Sequence, residues 1–303
     1  MIYPIIEIPA DAPTQFEQLG TKAKFWYRDQ GGRSMLFKEG RPGTGENWAE
    51  KVCCEICRHL DLPHAEYDFA VWKSKKGVVT PNFVPEGGRL VLGNELLAKI
   101  ISNYGEVHRY QVRQHTVRAV MAVTSSKVIG TPLLWIAPTV IKDAAGVFVG
   151  YVMLDALVGN QDRHHENWGL VWLLDEGVFF APTFDHASSL GRNETDPVRQ
   201  QMLTTRDRGR SVETYVERAK SALFTSPADT RPLKTLEAFQ EAAKIRPDAA
   251  AYWVTKLARL TLDDYRAILA DVPDSEITAP ARDFALKMLE INTQRILNLG
   301  SRF

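Results

Sequence analysis

The sequence predicts an α+β chain of two lobes, a small β-rich lobe over residues 1–85 and a larger helical lobe over residues 86–303. Three observations predict it. Runs of aromatic and β-branched residues, broken by glycine turns, crowd into the chain before residue 90. After residue 93 the apolar residues recur at helical spacing in long segments. Between the two regions, Pro85-Glu-Gly-Gly88 has the composition of a linker.

Each element has its own local reason. Lys24-Phe-Trp-Tyr-Arg-Asp29 is an aromatic strand, Gln30-Gly31-Gly32 a turn, and Ser34-Met-Leu-Phe-Lys38 the returning strand. A glycine-rich loop over 39–47 precedes a helix from Asn47 to Leu60, which Leu62-Pro63 stops. Tyr67–Trp72 and Gly77–Val84 are two more strands, the second interrupted at Pro81. Helices are expected at 94–102, 107–123, 147–158, 211–223, 233–244, 248–259, 262–270 and 279–298. One hairpin interrupts them, Trp168–Leu174 and Val178–Ala181 around Asp175-Glu-Gly177.

Composition narrows the function. Thirty-seven basic residues balance 37 acidic ones, so the chain is no polycation and direct nucleic-acid binding is not expected. With 45% hydrophobic and 24% charged residues it is an ordinary folded protein rather than a disordered one. No window holds eighteen uninterrupted apolar residues, and the N-terminus lacks the basic and apolar regions of a signal peptide. Cys53, Cys54 and Cys57 are odd in number and crowded together, which fits a reducing, cytoplasmic setting. All three are assigned to packing. No second cysteine pair accompanies them, and no histidine pair stands at zinc spacing nearby.

The chemistry concentrates in Gly159-Asn-Gln-Asp-Arg-His-His-Glu-Asn-Trp-Gly169 and in Phe184-Asp-His186. The first stretch follows an apolar helix and the second follows the hairpin. Asp162, Asn167 and Asp185 therefore gather at the polar ends of one helix–loop–hairpin unit. Two carboxylates and an amide suit a hard cation such as Mg²⁺. Adjacent His164 and His165 point apart on most backbones, so a histidine-based metal hydrolase is disfavoured.

Asn160-Gln-Asp-Arg-His-His-Glu-Asn167 resembles the Asp-Arg-His-x-x-Asn catalytic loop of the HipA-like kinases, a loop that phosphatidylinositol kinases share. Asp185 in Phe-Asp-His stands where protein kinases carry their metal-binding aspartate. Leu36-Phe-Lys-Glu-Gly40, Trp48-Ala-Glu-Lys-Val52 and Leu60-Asp-Leu-Pro-His-Ala-Glu-Tyr67 add to the HipA side, and the resemblance covers roughly residues 19–215. It implies a two-lobed protein-kinase-like fold, without the extra N-terminal subdomain of full-length HipA. The implied reaction moves the γ-phosphoryl group of ATP to a protein serine or threonine with Mg²⁺, as in the toxin of a toxin–antitoxin pair. Partners would be a protein substrate and an antitoxin or other regulator. Asp162 would act on the acceptor hydroxyl, Asn167 and Asp185 would hold the metal, and Lys38 would bind the phosphates, held by a helix glutamate. A lipid or small-molecule kinase and a catalytically dead binding module are the alternatives. The module usually lacks one of the lysine and the two aspartates, all of which are present here.

On a wheel of about 100° per residue with Trp48 at zero, the apolar arc of the 47–60 helix runs from Trp48 round to Cys57, with His59 inside it. Lys51, Glu55 and Arg58 form the wet face. Glu50 falls at about 200°, on the edge of the buried face, and is the expected partner of Lys38. Glu46, at about 160°, is the rival. Leu19-Gly20-Thr21-Lys22-Ala23-Lys24 is the best phosphate loop, with Gly20, Thr21 and Lys22 facing the nucleotide. HipA-like kinases can carry an inhibitory phosphoserine in that loop, which makes Thr21 the first candidate for autophosphorylation and Ser34 the second. Residues 186–212 carry five arginines against three acids, a segment that contacts substrate in kinases.

Overall fold

The computed structural model describes residues 1–17, 23–105 and 112–300. The predicted phosphate-loop residues Gly20, Thr21 and Lys22 lie outside them. The N-terminal strands are β1 (Ile5–Ile8), β2 (Gln15–Glu17), β3 (Lys24–Arg28) and β4 (Ser34–Glu39). Helix α1 (Glu46–Leu60) comes next, then β5 (Asp68–Trp72) and β6 (Lys75–Pro81). These strands make one sheet in the order β1-β5-β6-β4-β3-β2, antiparallel except where β1 runs parallel to β5. Lys38 pairs with Val78 and Lys24 across the sheet, and α1 packs on β5 and β6.

The helical part begins with β7 (Arg89–Leu92) and α2 (Gly93–Ile100), then α3 (Val117–Thr124), β8 (Ile129–Gly130) and α4 (Ala144–Val158). The hairpin is β9 (Gly169–Leu173) and β10 (Gly177–Phe180). Then come α5 (Asp196–Thr204), α6 (Val212–Glu217), α7 (Thr235–Ile245), α8 (Pro247–Leu257), α9 (Leu262–Ala270) and α10 (Ala279–Gly300). All fifteen residues of α4 are buried, and α3, α7, α8 and α10 pack around it. A helix that is apolar all round belongs at the centre of a large core. The hairpin lies in a second sheet, ordered β7-β9-β10-β8.

Several elements differ from expectation for local reasons. Of the helix expected at 107–123, residues 107–111 lie outside the described residues, and the described part starts at Val117, where the Thr116 hydroxyl caps it by accepting from Ala119 N at 3.1 Å. The helix expected at 211–223 ends at Glu217, and beyond it Lys220 bridges to Lys234. Strands β1, β2, β7 and β8 and helix α5 are not anticipated: they are short, and neighbours create them.

The wet face expected on α1 is largely covered. Lys51 and Glu55 are buried, and Lys51 lies over the Tyr3 ring at 4.7 Å while pairing with Asp68 and Glu55. The cover is the N-terminal stretch, with Tyr3 N bonded to Asp271 O, together with α9. His59, placed by the wheel in the apolar arc, is exposed, although Leu60 next to it is buried.

Candidate active site

Strand β4 buries two consecutive residues on opposite faces. Phe37 joins a cluster with Phe25 and Tyr27, and Lys38 points the other way, toward α1. Only 6% of Lys38 is exposed. Its Nζ lies 3.4 Å from Glu50 Oε2 and 3.0 Å from Asp185 Oδ1, and 5.3 Å from the centre of the Tyr67 ring. Burial alone pushes a lysine pKa down. Here the two carboxylates outweigh it and hold Lys38 well above its ordinary value.

Glu50 works on two fronts. Its Oε2 faces Lys38, and its Oε1 accepts from His186 N at 2.7 Å, which ties α1 to the segment carrying Asp185. Glu46, the rival, turns elsewhere: it pairs with Arg41 at 3.0 Å and with Arg192. The difference predicts unequal costs. Glu50→Gln leaves a buried ammonium short of one counter-charge and costs about 1.5–3 kcal/mol. Glu46→Gln keeps an acceptor for the half-exposed Arg41, and Arg192 retains Ser188 Oγ, so it costs less, about 1 kcal/mol. Urea unfolding midpoints of the two variants check the order, and a larger loss for Glu46→Gln contradicts it.

Asp185 adopts φ 60°, the left-handed region that Asp tolerates better than most residues. The turn is held from both sides. Tyr67 Oη accepts from Asp185 N at 3.3 Å, Thr183 N donates to Pro63 O, and Ala65 N donates to Thr183 O. His186 is buried and touches Thr183 Oγ1 at 2.8 Å through Nε2. Burial and the nearby Arg163 charge hold it well below the ordinary histidine pKa, so it is neutral.

The 159–167 loop starts where Gly159 takes φ 66° and ends α4. Its shape comes from a buried network. Arg163, with no exposed surface, forks onto Asp155 of α4 (Nε to Oδ2 2.9 Å, Nη2 to Oδ1 2.8 Å) and donates Nη1 to Asn167 O at 2.8 Å. Asn160 Nδ2 donates to Asp155 Oδ1 at 2.8 Å. Asp162 is left at the surface of this frame, with its side chain about a quarter exposed and Ser188 Oγ 3.4 Å from its Oδ2. His164 Nδ1 accepts from Glu166 N, so its Nε2 carries the hydrogen and points it at Asp162 Oδ1, 3.8 Å away. His165 turns away to Tyr104 Oη at 2.8 Å. Asn167 Nδ2 donates to Asp162 O at 2.6 Å, so the amide oxygen is the atom that it could offer a cation.

The structure thus joins Lys38, Glu50 and Asp185 directly, and joins Asp162 to Asn167. Asp155 and Tyr67, which sequence reasoning does not single out, organise both groups. Asp155 had a readable signal, a lone carboxylate in a helix that is otherwise apolar. Tyr67 had none, since only the fold brings it under Lys38. Of the five arginines in residues 186–212, Arg192 pairs with Glu46, and Arg199 is buried against Asp196 and the Gly191 carbonyl. Arg206, Arg208 and Arg210 are exposed. A cavity of about 250 Å³ opens beside Asp162, with Ser188, Arg192, Tyr215 and Met288 in its wall.

Mg²⁺ and a nucleotide suit this donor set. Asp185 and the Asn167 amide offer hard oxygens, and Lys38 offers a buried, charged ammonium beside Asp185.

A β-rich lobe and a helical lobe meeting across a lysine, a helix glutamate and an aspartate make the protein-kinase-like fold. More particularly, this is the fold of the HipA-like kinases. A crystal structure of a Helicobacter pylori proinflammatory kinase, CtkA, superposes with a TM-score of 0.73 at 20% identity, covering 99% of this chain and 98% of that one. HipA from Shewanella oneidensis MR-1, solved with HipB and operator DNA, superposes with a TM-score of 0.58 at 11% identity, covering 98% of this chain and 68% of that one. No protein-family model matches the sequence, and no curated protein matches it.

Proposed function

We propose that the chain is an ATP- and Mg²⁺-dependent phosphotransferase of the HipA-like type, with serine or threonine of a protein as acceptor. Residues 1–85 form the nucleotide-binding lobe and residues 86–303 the catalytic lobe. The observation that carries the reading is the buried Lys38, shared between Glu50 and Asp185, in a chain whose partly exposed Asp162 opens onto a cavity of its own. Lys38 binds the nucleotide phosphates and Glu50 holds it in place. Asn167 and Asp185 hold the metal, which neutralises charge on the phosphates. Asp162 orients the acceptor hydroxyl and takes its proton. In phosphoryl transfer, positioning and charge stabilisation supply nearly all of the catalysis, and the loop's buried frame is suited to positioning.

The neighbour HipA was solved with a partner, HipB, and a regulatory partner protein is proposed here as well. Incubation of the chain with γ-labelled ATP, Mg²⁺ and cell lysate, separated into protein and lipid fractions, tests the activity. Label in protein supports the reading, label in lipid shifts the acceptor to a lipid, and no label in any fraction overturns it.

Binding has its own expected result. ATP alone raises Tm slightly and Mg·ATP raises it clearly more, by mass action on the folded state. Asp185→Asn keeps a side chain that tolerates φ 60° and removes the charge. It loses the Mg²⁺-dependent increment. A variant that binds Mg·ATP as the parent does removes Asp185 from the metal site.

A further inference from the structure

We infer that Cys54, His64 and Glu66 form a binding site for one zinc-like divalent cation, which clamps α1 to the segment running into Tyr67. One ligand atom from each residue lies within 4.8 Å of the others. His64 Nε2 is 3.5 Å from Glu66 Oε1, and Cys54 Sγ is 3.8 Å from Glu66 Oε2. With bonds of about 2.0–2.3 Å, the ligand atoms of a tetrahedral zinc stand roughly 3.3–3.7 Å apart. The chain already holds the His64–Glu66 and Cys54–Glu66 atoms near that spacing.

His64 is the independent witness. Its side chain is only 10% exposed. Its Nδ1 meets Leu62 O at 2.7 Å, and a carbonyl can only accept, so Nδ1 carries the hydrogen. Nε2 is fully buried and has no hydrogen-bond partner. With Nδ1 holding the hydrogen of the neutral ring, Nε2 presents its lone pair toward a carboxylate oxygen. Two acceptors in that position repel each other unless a cation lies between them. A backbone carbonyl that fixes the opposite nitrogen is the usual support of a metal-binding histidine.

Cys54 supplies the soft ligand that selects zinc over Mg²⁺. Burial, with Glu66 nearby, pushes its thiol up to about 12. Binding therefore transfers the thiol proton to solvent as the sulfur–metal bond forms. Tyr67 N donates to Sγ at 3.4 Å, an arrangement that favours the thiolate. Arg58 pairs with Glu66 from the solvent side, and with half its side chain exposed it can swing away. The three ligands leave a fourth position for water. The clamp reaches the candidate active site through one residue, since Tyr67 also accepts from Asp185 N. The expectation that all three cysteines serve packing then holds for Cys53 and Cys57. The zinc partners of Cys54 were hidden because they lie ten and twelve residues away, in an irregular segment.

The test uses the reduced, chelator-stripped full chain titrated with Co²⁺ alone. About one equivalent is expected to produce a near-ultraviolet thiolate-to-cobalt charge-transfer band and the visible bands of a four-coordinate ion, both erased by Zn²⁺. Cys54→Ser loses the charge-transfer band. Should that variant fail to fold, Glu66→Gln, a change at a half-exposed position, decides instead. It weakens Co²⁺ binding by at least about tenfold, the smallest loss seen when even an outer partner of a ligand is removed. No charge-transfer band on the folded parent, an equal band in folded Cys54→Ser, or parent-like affinity in Glu66→Gln overturns the site.

Discussion

Asp155→Ala lowers the stability of the chain by about 3–5 kcal/mol, the cost of stranding one member of a buried ion pair. Arg163 has no exposed surface, and both bonds of its fork end on Asp155. Removing the carboxylate leaves the guanidinium deep in the core with only the Asn167 carbonyl, and it takes the Asn160 amide's acceptor as well. The enclosing packing is tight around α4, so water cannot readily replace what is lost. Asp155→Asn retains an acceptor and costs less. Urea unfolding of the parent and both variants measures this. A loss below about 1 kcal/mol for Asp155→Ala means that the pair is not what holds the loop. Because the same network shapes residues 160–167, Asp155→Asn also lowers phosphoryl transfer under conditions where it is fully folded.

Asp162→Asn lowers the rate of phosphoryl transfer by about 10²–10⁴-fold, the usual contribution of a positioned general base. Its stability changes little, since the carboxylate is partly exposed and lies outside the Asp155–Arg163 frame. The pairing of a large rate effect with a small stability effect separates it from Asp155. Steady-state transfer to the labelled lysate protein, read beside a urea curve, gives both numbers. A variant within threefold of the parent rate would remove Asp162 from the chemistry. Mg·ATP binding in the same variant should be nearly unchanged, because Lys38, Glu50 and Asp185 remain together.

Helix α1 shows how far the sequence could be read. Its wheel separates Glu50 from Glu46 by only about 40°, and both are buried in the fold. What distinguishes them is the company each keeps: Lys38 and the His186 amide for Glu50, Arg41 and Arg192 for Glu46. The same wheel misreads Lys51 and Glu55, because their cover comes from Tyr3 and from α9, at the two ends of the chain. Periodicity reports which residues share a face. It does not report what is laid against that face.

The resemblance to the HipA-like kinases supplied the order of Lys38, Glu50, the 159–167 loop and Asp185, while the sequence by itself determined the type of most long elements and the change from strands to helices near residue 90. These are legible because propensity, capping and helical spacing act over a few residues. Only the tertiary structure decided which charges meet. Lys38 and Asp185 are separated by 147 residues, and Glu50 and the His186 amide by 136. Their convergence depends on two sheets and a central helix packing in one arrangement. It decided Asp155 as well, since a carboxylate inside an apolar helix is tolerable only when a distant turn brings an arginine to it. An ion pair is a contact between side chains at about 3 Å, and that distance is set by the packing of the whole core rather than by any local stretch of chain.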